Sequence, residues 1–213
     1  MSLNINDFES KSSPKYTPEE GIQPAVVVQV IGLGLQEGQE WPPKSGKKKP
    51  DHYRVRVTYE LVDEVHDFDG EQKPLIVSEE FKISNDDRST CFKRLSAIDP
   101  GMKKTGGDLM KLVGAPVALS IQINDKGYPK ITAAAKPSKS MKIDVDTFNE
   151  KVTYNPDDHD QDVFESLPEF IQTKIQNRLD AKSGSSAPAP KEEPEFDDDV
   201  PFGGDEDNSD GDW

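Results

Sequence analysis

The sequence predicts a mainly β fold: a small antiparallel barrel of five strands with a helical connection between the third and fourth. A C-terminal helical segment and an acidic tail follow. Three observations predict it. Residues 52–63 and 115–123 alternate apolar and polar side chains with period two, the pattern of strands with one buried face. Between them, Cys91, Phe92, Leu95 and Ile98 recur at helical spacing. The excess negative charge lies wholly in the last third, where apolar residues also thin out.

Residues 1–20, with Pro14, Pro18 and several serines and charges, read as a flexible arm. Residues 25–36 are rich in β-formers, and Gly32 and Gly34 stand where a long strand can bend sharply. A loop follows, built of Trp41, Pro42, Pro43, Gly46 and three consecutive lysines. In the second strand Tyr53, Val55, Val57, Tyr59 and Leu61 share one face, and Arg54, Arg56, Thr58 and Glu60 the other. Asp67-Phe68-Asp69-Gly70 makes a turn into a third strand over residues 75–84. Asp86 and Asp87 are placed to cap the helix, which ends before Pro100-Gly101, and residues 108–113 add a helical turn. Val117, Leu119, Ile121 and Ile123 alternate in the fourth strand, Asp125-Lys126-Gly127 turns, and residues 128–134 form the last strand. Three strands, a helical connection and a hairpin make the order of an OB-fold, here over residues 21–142. Another small antiparallel barrel or sandwich is the alternative.

From residue 143 to 180 the character changes. Val163, Phe164, Leu167, Phe170, Ile171, Ile175 and Leu179 trace a helical apolar stripe that should pack on the barrel or on another subunit. Its acidic surroundings oppose a DNA-contacting role. Beyond Ala181, Ser183-Gly184-Ser185-Ser186-Ala187-Pro188-Ala189-Pro190 is linker composition, leading into an acidic tract expected to be disordered in isolation. The formal net charge of −15 divides as +1 over residues 1–142, −7 over 143–180 and −9 over 181–213. The front of the chain therefore retains the cation content a phosphate ligand needs.

Cys91 is the only cysteine, which rules out an internal disulfide framework and suits a reducing cytoplasm. The first twenty residues are polar and mixed in charge, so no secretory signal is expected, and the longest apolar stretch, residues 25–35, is broken by Gln29, Gly32 and Gly34, so no membrane span is expected. Enzyme signatures fail on spacing. Gly32, Gly34 and Gly38 are one residue too long for a dinucleotide fingerprint, and Gly46-Lys47 lacks the rest of a phosphate loop. Asp67 and Asp69 lack partners at the ends of a calcium loop, and His52, His66 and His159 show no metal spacing. No catalytic residue, metal or cofactor is predicted.

Binding chemistry is better represented. A single-strand groove needs cations along the phosphates and flat side chains under the bases. Trp41 stands beside Lys44, Lys47, Lys48 and Lys49 in the first loop. Tyr53, Arg54 and Arg56 lie on the second strand and Lys82 on the third. Residues 126–142 hold five lysines and no acid, including Lys126, Lys130, Lys136 and Lys139, with Tyr128 at the strand start. These clusters fall on the elements by which an OB-fold binds oligonucleotides. The rival reading is an OB-like interaction module or nucleic-acid mimic that binds no DNA. A mimic should spread acids over its folded surface, which the balance of residues 1–142 does not show.

The tail carries the sharpest motif, Phe196-Asp197-Asp198-Asp199-Val200-Pro201-Phe202. Acidic charge steers such a segment to a basic groove, while its apolar residues anchor it. It resembles the acidic tip of bacterial single-stranded DNA-binding proteins (SSBs), an Asp-rich run ending in Ile-Pro-Phe. Val200 stands here for the isoleucine. The resemblance implies a phage-encoded member of that type: an OB-fold that coats single-stranded DNA, and a tip that recruits replication and repair partners such as a polymerase, helicase or nuclease. In that family the phenylalanine is terminal, whereas eleven residues follow Phe202 here. The resemblance therefore offers two docking aromatics, Phe202 and Trp213.

Overall fold

The computed structural model describes residues 16–183. Five strands form an antiparallel sheet in the order β3-β2-β1-β4-β5. They are β1 (Gly21–Gln36), β2 (His52–Phe68), β3 (Glu71–Lys82), β4 (Pro116–Ile123) and β5 (Pro129–Ala135). A short sixth strand, β6 (Val152–Tyr154), pairs parallel with Gln29, Val30 and Ile31 of β1. Helix α1 (Thr90–Ile98) lies between β3 and β4, where the helical spacing put it. The mainly β class and the three-strand, helix, two-strand order are as the sequence predicts.

β1 organises the molecule. One edge pairs with β2 from Ala25 to Gln36. The other edge is divided, with Gly21 to Val26 on β4 and Gln29 to Ile31 on β6. The changeover coincides with a β-bulge between Val27 and Gln29, a device that bends a strand and strengthens its twist. The β2–β3 hairpin closes on Asp69 and Gly70, both at positive φ (55° and 89°), as a tight hairpin turn requires.

Two cores result, one on each side of β1. The larger gathers Val55, Val57, Tyr59 and Leu61 of β2 with Val117, Leu119 and Ile121 of β4 and Cys91 and Leu95 of α1. The alternations that predicted β2 and β4 are the inward faces of these strands. The smaller core packs Ile31 and Leu33 against Tyr154, Phe164, Leu167, Ile171 and Ile175. The apolar stripe of the extension therefore packs on the sheet itself. It is three short helices rather than one: α2 (Gln161–Ser166), α3 (Glu169–Gln176) and α4 (Leu179–Ser183), interrupted at Leu167-Pro168 and Asn177-Arg178. β1 is thus buried on both faces, which explains why residues 25–35 read as an almost continuous apolar run. Close approach also requires Gly32, where a Cβ would lie 2.9 Å from Pro156 Cδ, and Gly34 (φ 70°), where it would lie 2.4 Å from Arg178 Cδ.

Several expectations are corrected. The helix cap is Ser89, whose hydroxyl accepts the Phe92 N–H at 3.1 Å, and not Asp86 or Asp87. Asp86 instead accepts the Arg88 N–H at 2.8 Å in the preceding turn, so helix formation starts later. The outward residues Thr58 and Glu60 are only 3% and 5% exposed. Thr58 is hydrogen-bonded to Ser78 of β3 at 3.0 Å, and the extension covers Glu60, which accepts from Phe148 N–H, Asn149 N–H and Asn149 Nδ2 at 2.7–3.0 Å. The arm expected over residues 1–20 is docked from Tyr16 onward. Its ring lies 4.6 Å from Phe68, and its hydroxyl donates to Asp67 O at 2.7 Å. Residues 1–15 lie outside the described residues.

The two outer strands of the order, β3 and β5, are tied by a side chain. Arg94 of α1, 6% exposed, reaches Glu79 of β3 with Nε at 2.7 Å and Nη2 at 3.0 Å. Its Nη2 also donates to the Ile131 carbonyl of β5 at 3.1 Å. Tyr59 completes the network, its hydroxyl donating to Glu79 at 2.9 Å. Burial, then the Glu79 charge and hydrogen bond, push the Tyr59 phenol well above its ordinary pKa, so it stays a donor. No helix among the described residues is long and apolar enough to cross a membrane.

Candidate nucleic-acid interface

The loop over residues 37–51 is built by its own hydrogen bonds. Trp41 N–H donates to Lys47 O at 2.8 Å and Lys49 N–H to Gln39 O at 2.9 Å, while Glu40 and Lys48 form an isolated bridge. Two carboxylates hold the backbone: Glu40 accepts from Gly46 N–H, and Asp51 from Gly38 N–H at 2.7 Å. Gly38 is required by close packing, since a Cβ there would meet Lys49 O at 1.7 Å. Acids that would repel a phosphate are thereby engaged within the loop.

What the loop presents is basic and aromatic. Trp41 is 61% exposed, and Lys49 Nζ stands 5.2 Å from its ring centroid. Lys44 and Lys47 are exposed and make no ion pair among the described residues. Lys48 is paired with Glu37, whose hydrogen bond and charge raise the lysine pKa.

At the base of the loop the strand ends add cations. Arg54 on β2 sits opposite Lys82 on β3. Arg54 Nε is buried and has no acceptor among the described residues. Tyr53 is half buried, and burial with the Asp180 and Asp157 charges raises its phenol pKa. Arg56 is differently placed. It donates to Glu80 at 3.1 Å and lies 5.2 Å from the Phe170 ring. Burial pushes the Glu80 carboxyl up, but hydrogen bonds and charge from Lys174 and Arg56 outweigh it and hold the pKa below the ordinary carboxylate value.

The remaining predicted residues form a separate group. The β4–β5 turn is fixed by Asn124 Oδ1, which accepts from Lys126 N–H at 2.9 Å and Tyr128 N–H at 3.0 Å. Lys126, Lys130, Lys136 and Lys139 are exposed, and Tyr128 is 49% exposed. The pairing Gly21↔Ile121 places this turn at the start of β1, whereas Gln36↔His52 places the 37–51 loop at its end. The structure brings Trp41, its lysines, Arg54 and Lys82 together, sets Lys126, Tyr128 and Lys130 at the far end of the central strand, and leaves Lys136 and Lys139 beyond the other end of β5, where Ala135 pairs with Ala118. The tail residues Phe196, Asp197, Asp198, Asp199, Val200, Pro201, Phe202 and Trp213 lie outside the described residues.

Sequence reading missed what the extension contributes. Phe170 was counted in the apolar stripe, yet it is 51% exposed while its neighbour Ile171 is 2% exposed. The signal was present. Phe164, Leu167, Ile171 and Ile175 already satisfy the three- and four-residue spacing of one helical face, which leaves Phe170 a residue off it. No protein-family model, curated protein or solved structure matches this chain.

Proposed function

We propose that this chain is a non-enzymatic protein that binds single-stranded DNA with little sequence preference, in the manner of an SSB, within a cytoplasm. The observation that carries the reading is the Trp41 loop: an exposed indole held by an ordered backbone, with Lys49 over its ring and Lys44 and Lys47, in no ion pair among the described residues, beside it. Stacking on a fixed aromatic while cations neutralise phosphates is the chemistry of sequence-tolerant single-strand binding. The strand order and the helix between the third and fourth strands agree with an OB-fold, whose first loop and second and third strands bind oligonucleotides. The Arg94 tie between β3 and β5 supports a barrel-like closure by side chains.

The test is a titration of the full chain with oligo-dT and with duplex of equal length across a salt series, read by tryptophan fluorescence. Preference for oligo-dT, quenching, and an affinity that falls linearly on a log–log salt plot are expected. Absence of binding at low salt would move the protein to the interaction-module class. Followed by the anisotropy of a labelled oligo-dT, a readout independent of the indole removed, Trp41→Ala should weaken binding by about 1–3 kcal/mol, the range for one stacked base. Unchanged affinity would remove Trp41 from the site.

The acidic tail is read as a recruiter of replication proteins that also competes for the basic loop. Asp180 of α4 accepts from Leu35 N–H at 3.3 Å, so the chain leaves the fold beside the base of that loop, where a tethered competitor has a high effective concentration. Deleting residues 184–213 should tighten oligo-dT binding, most strongly at low salt. Equal or weaker binding would refute the competition.

A further inference from the structure

We infer that the C-terminal extension supplies two base-stacking rings, Phe170 and Phe148, to a single strand lying along the extension where it packs beside β2 and β3; this rests on the DNA-binding reading above. The acidic composition of the extension argued against any such contact. The geometry argues for it.

Phe170 is 51% exposed and Phe148 53% exposed. α3 does not lack apolar contacts for Phe170 to share, since Ile171 and Ile175 are each 2% exposed in the small core. The ring is instead turned onto β2, where the Arg56 guanidinium lies 5.2 Å from its centroid. Arg56 is fixed in turn by Glu80, which Lys174 Nζ also binds at 2.7 Å. Phe148 is fixed through its backbone, because its N–H and that of Asn149 donate to Glu60. Lys73 Nζ stands 5.7 Å from the Phe148 ring.

Each half-exposed ring thus has a cation beside it and an anchor on β2. The anchors, Arg56 and Glu60, are four residues apart on one strand, about 13 Å at the usual strand rise. Between them Thr58 is only 3% exposed and is hydrogen-bonded to Ser78 of β3 at 3.0 Å, so a strand spanning the two rings runs over the extension and not over a bare sheet face. Both carboxylates on this stretch are engaged, Glu60 by backbone and side-chain amides and Glu80 by two cations. Rings that stack any base suit a single strand of any sequence; the cations beside them are ion-paired, Arg56 with Glu80 and Lys73 with Glu71 at 2.8 Å, so phosphate contacts fall to the Trp41 loop. The surface is continuous with the Trp41 loop: Gln36 Nε2 donates to Lys174 O at 3.1 Å, which puts the end of α3 at the loop base. Asp146 and Glu150 flank Phe148 and oppose phosphate there, so Phe170 is the stronger of the two positions.

Phe170→Ala in the full chain should weaken oligo-dT binding roughly 5- to 150-fold. Phe170→Leu should lose as much, because it keeps apolar volume but no ring, and Phe170→Tyr should retain the affinity. The salt slope should stay that of the unaltered chain, since no phosphate contact is removed. Phe148→Ala should show a smaller loss, with thermal midpoints of all variants close to the unaltered value. If the unaltered chain binds oligo-dT and Phe170→Ala or Phe170→Leu binds equally well, the inference is overturned and the DNA reading stands. A changed sedimentation coefficient at unchanged DNA affinity overturns it too, and assigns the rings to a contact between copies. If the unaltered chain binds no oligo-dT, the DNA reading itself falls and this inference with it.

Discussion

Arg94→Met is expected to destabilise the fold by about 3–5 kcal/mol, the cost of removing one partner from a buried ion pair. Its guanidinium is the one group that contacts both β3 and β5 through hydrogen bonds described above. Removing it leaves the Glu79 carboxylate, 14% exposed, with only the Tyr59 hydroxyl. It also leaves the Ile131 carbonyl without that donor. At roughly 2–4 °C per kcal/mol for a fold of this size, the thermal midpoint should drop by about 6–20 °C. A compensating variant distinguishes charge from packing. Arg94→Met with Glu79→Met removes both charges and should recover part of the loss, although Tyr59 then lacks its acceptor, a penalty of about 1–3 kcal/mol. Amide exchange on β3 and β5 should accelerate in Arg94→Met before that on β1, which is paired on both edges. A midpoint shift of a degree or two would mean that the two strands are held by something else.

That tie was not legible in the sequence, and the reason is physical. Periodicity reports which face of an element is apolar, and Arg94 falls between the apolar positions Cys91 and Leu95 of a helix whose spacing says nothing about a buried charge. Glu79 likewise looks like an ordinary polar residue of β3. By contrast β2 and β4 were readable because one clean face meets one core. β1 was readable as a strand, but the partner of its second face, Tyr154 to Ile175, lies more than a hundred residues downstream. β6 spans only Val152–Tyr154 and is a strand because β1 offers it an edge. In the candidate interface the same division appears. Trp41 and its lysines could be picked out because a tryptophan among prolines and lysines has no local core to join. Phe170 is separable from the buried face by spacing alone, but what its ring meets, the Arg56 guanidinium of β2, depends on a contact more than a hundred residues away in sequence.

The boundary of the folding unit follows from the second core, and it carries the other large expected effect. A chain ended at residue 142 would uncover Ile31 and Leu33, both 0% exposed in the full fold, and would remove β6 from the Gln29–Ile31 edge. Exposing two such side chains costs about 3–6 kcal/mol. That is a large part of the roughly 5–15 kcal/mol by which a domain is stable. The segment removed no longer has to be ordered, so its own five core side chains do not enter that estimate. What remains presents an apolar strip beside an open strand edge, a template for association between copies. Residues 1–142 should therefore aggregate or melt at least about 6 °C below the full chain, at roughly 2–4 °C per kcal/mol. Residues 1–183, which keep the second core, should melt within about 2 °C of it. Equal midpoints for the two truncations would show that the extension is a passenger on an independent barrel. The comparison also governs how DNA binding is to be tested. Loss of oligo-dT binding in 1–142 would follow from an opened β1 face or from the missing Phe170, and so would not bear on the Trp41 loop. The 1–183 chain keeps the loop, the rings and the core together while removing the acidic tail, so its affinity reports on the interface itself.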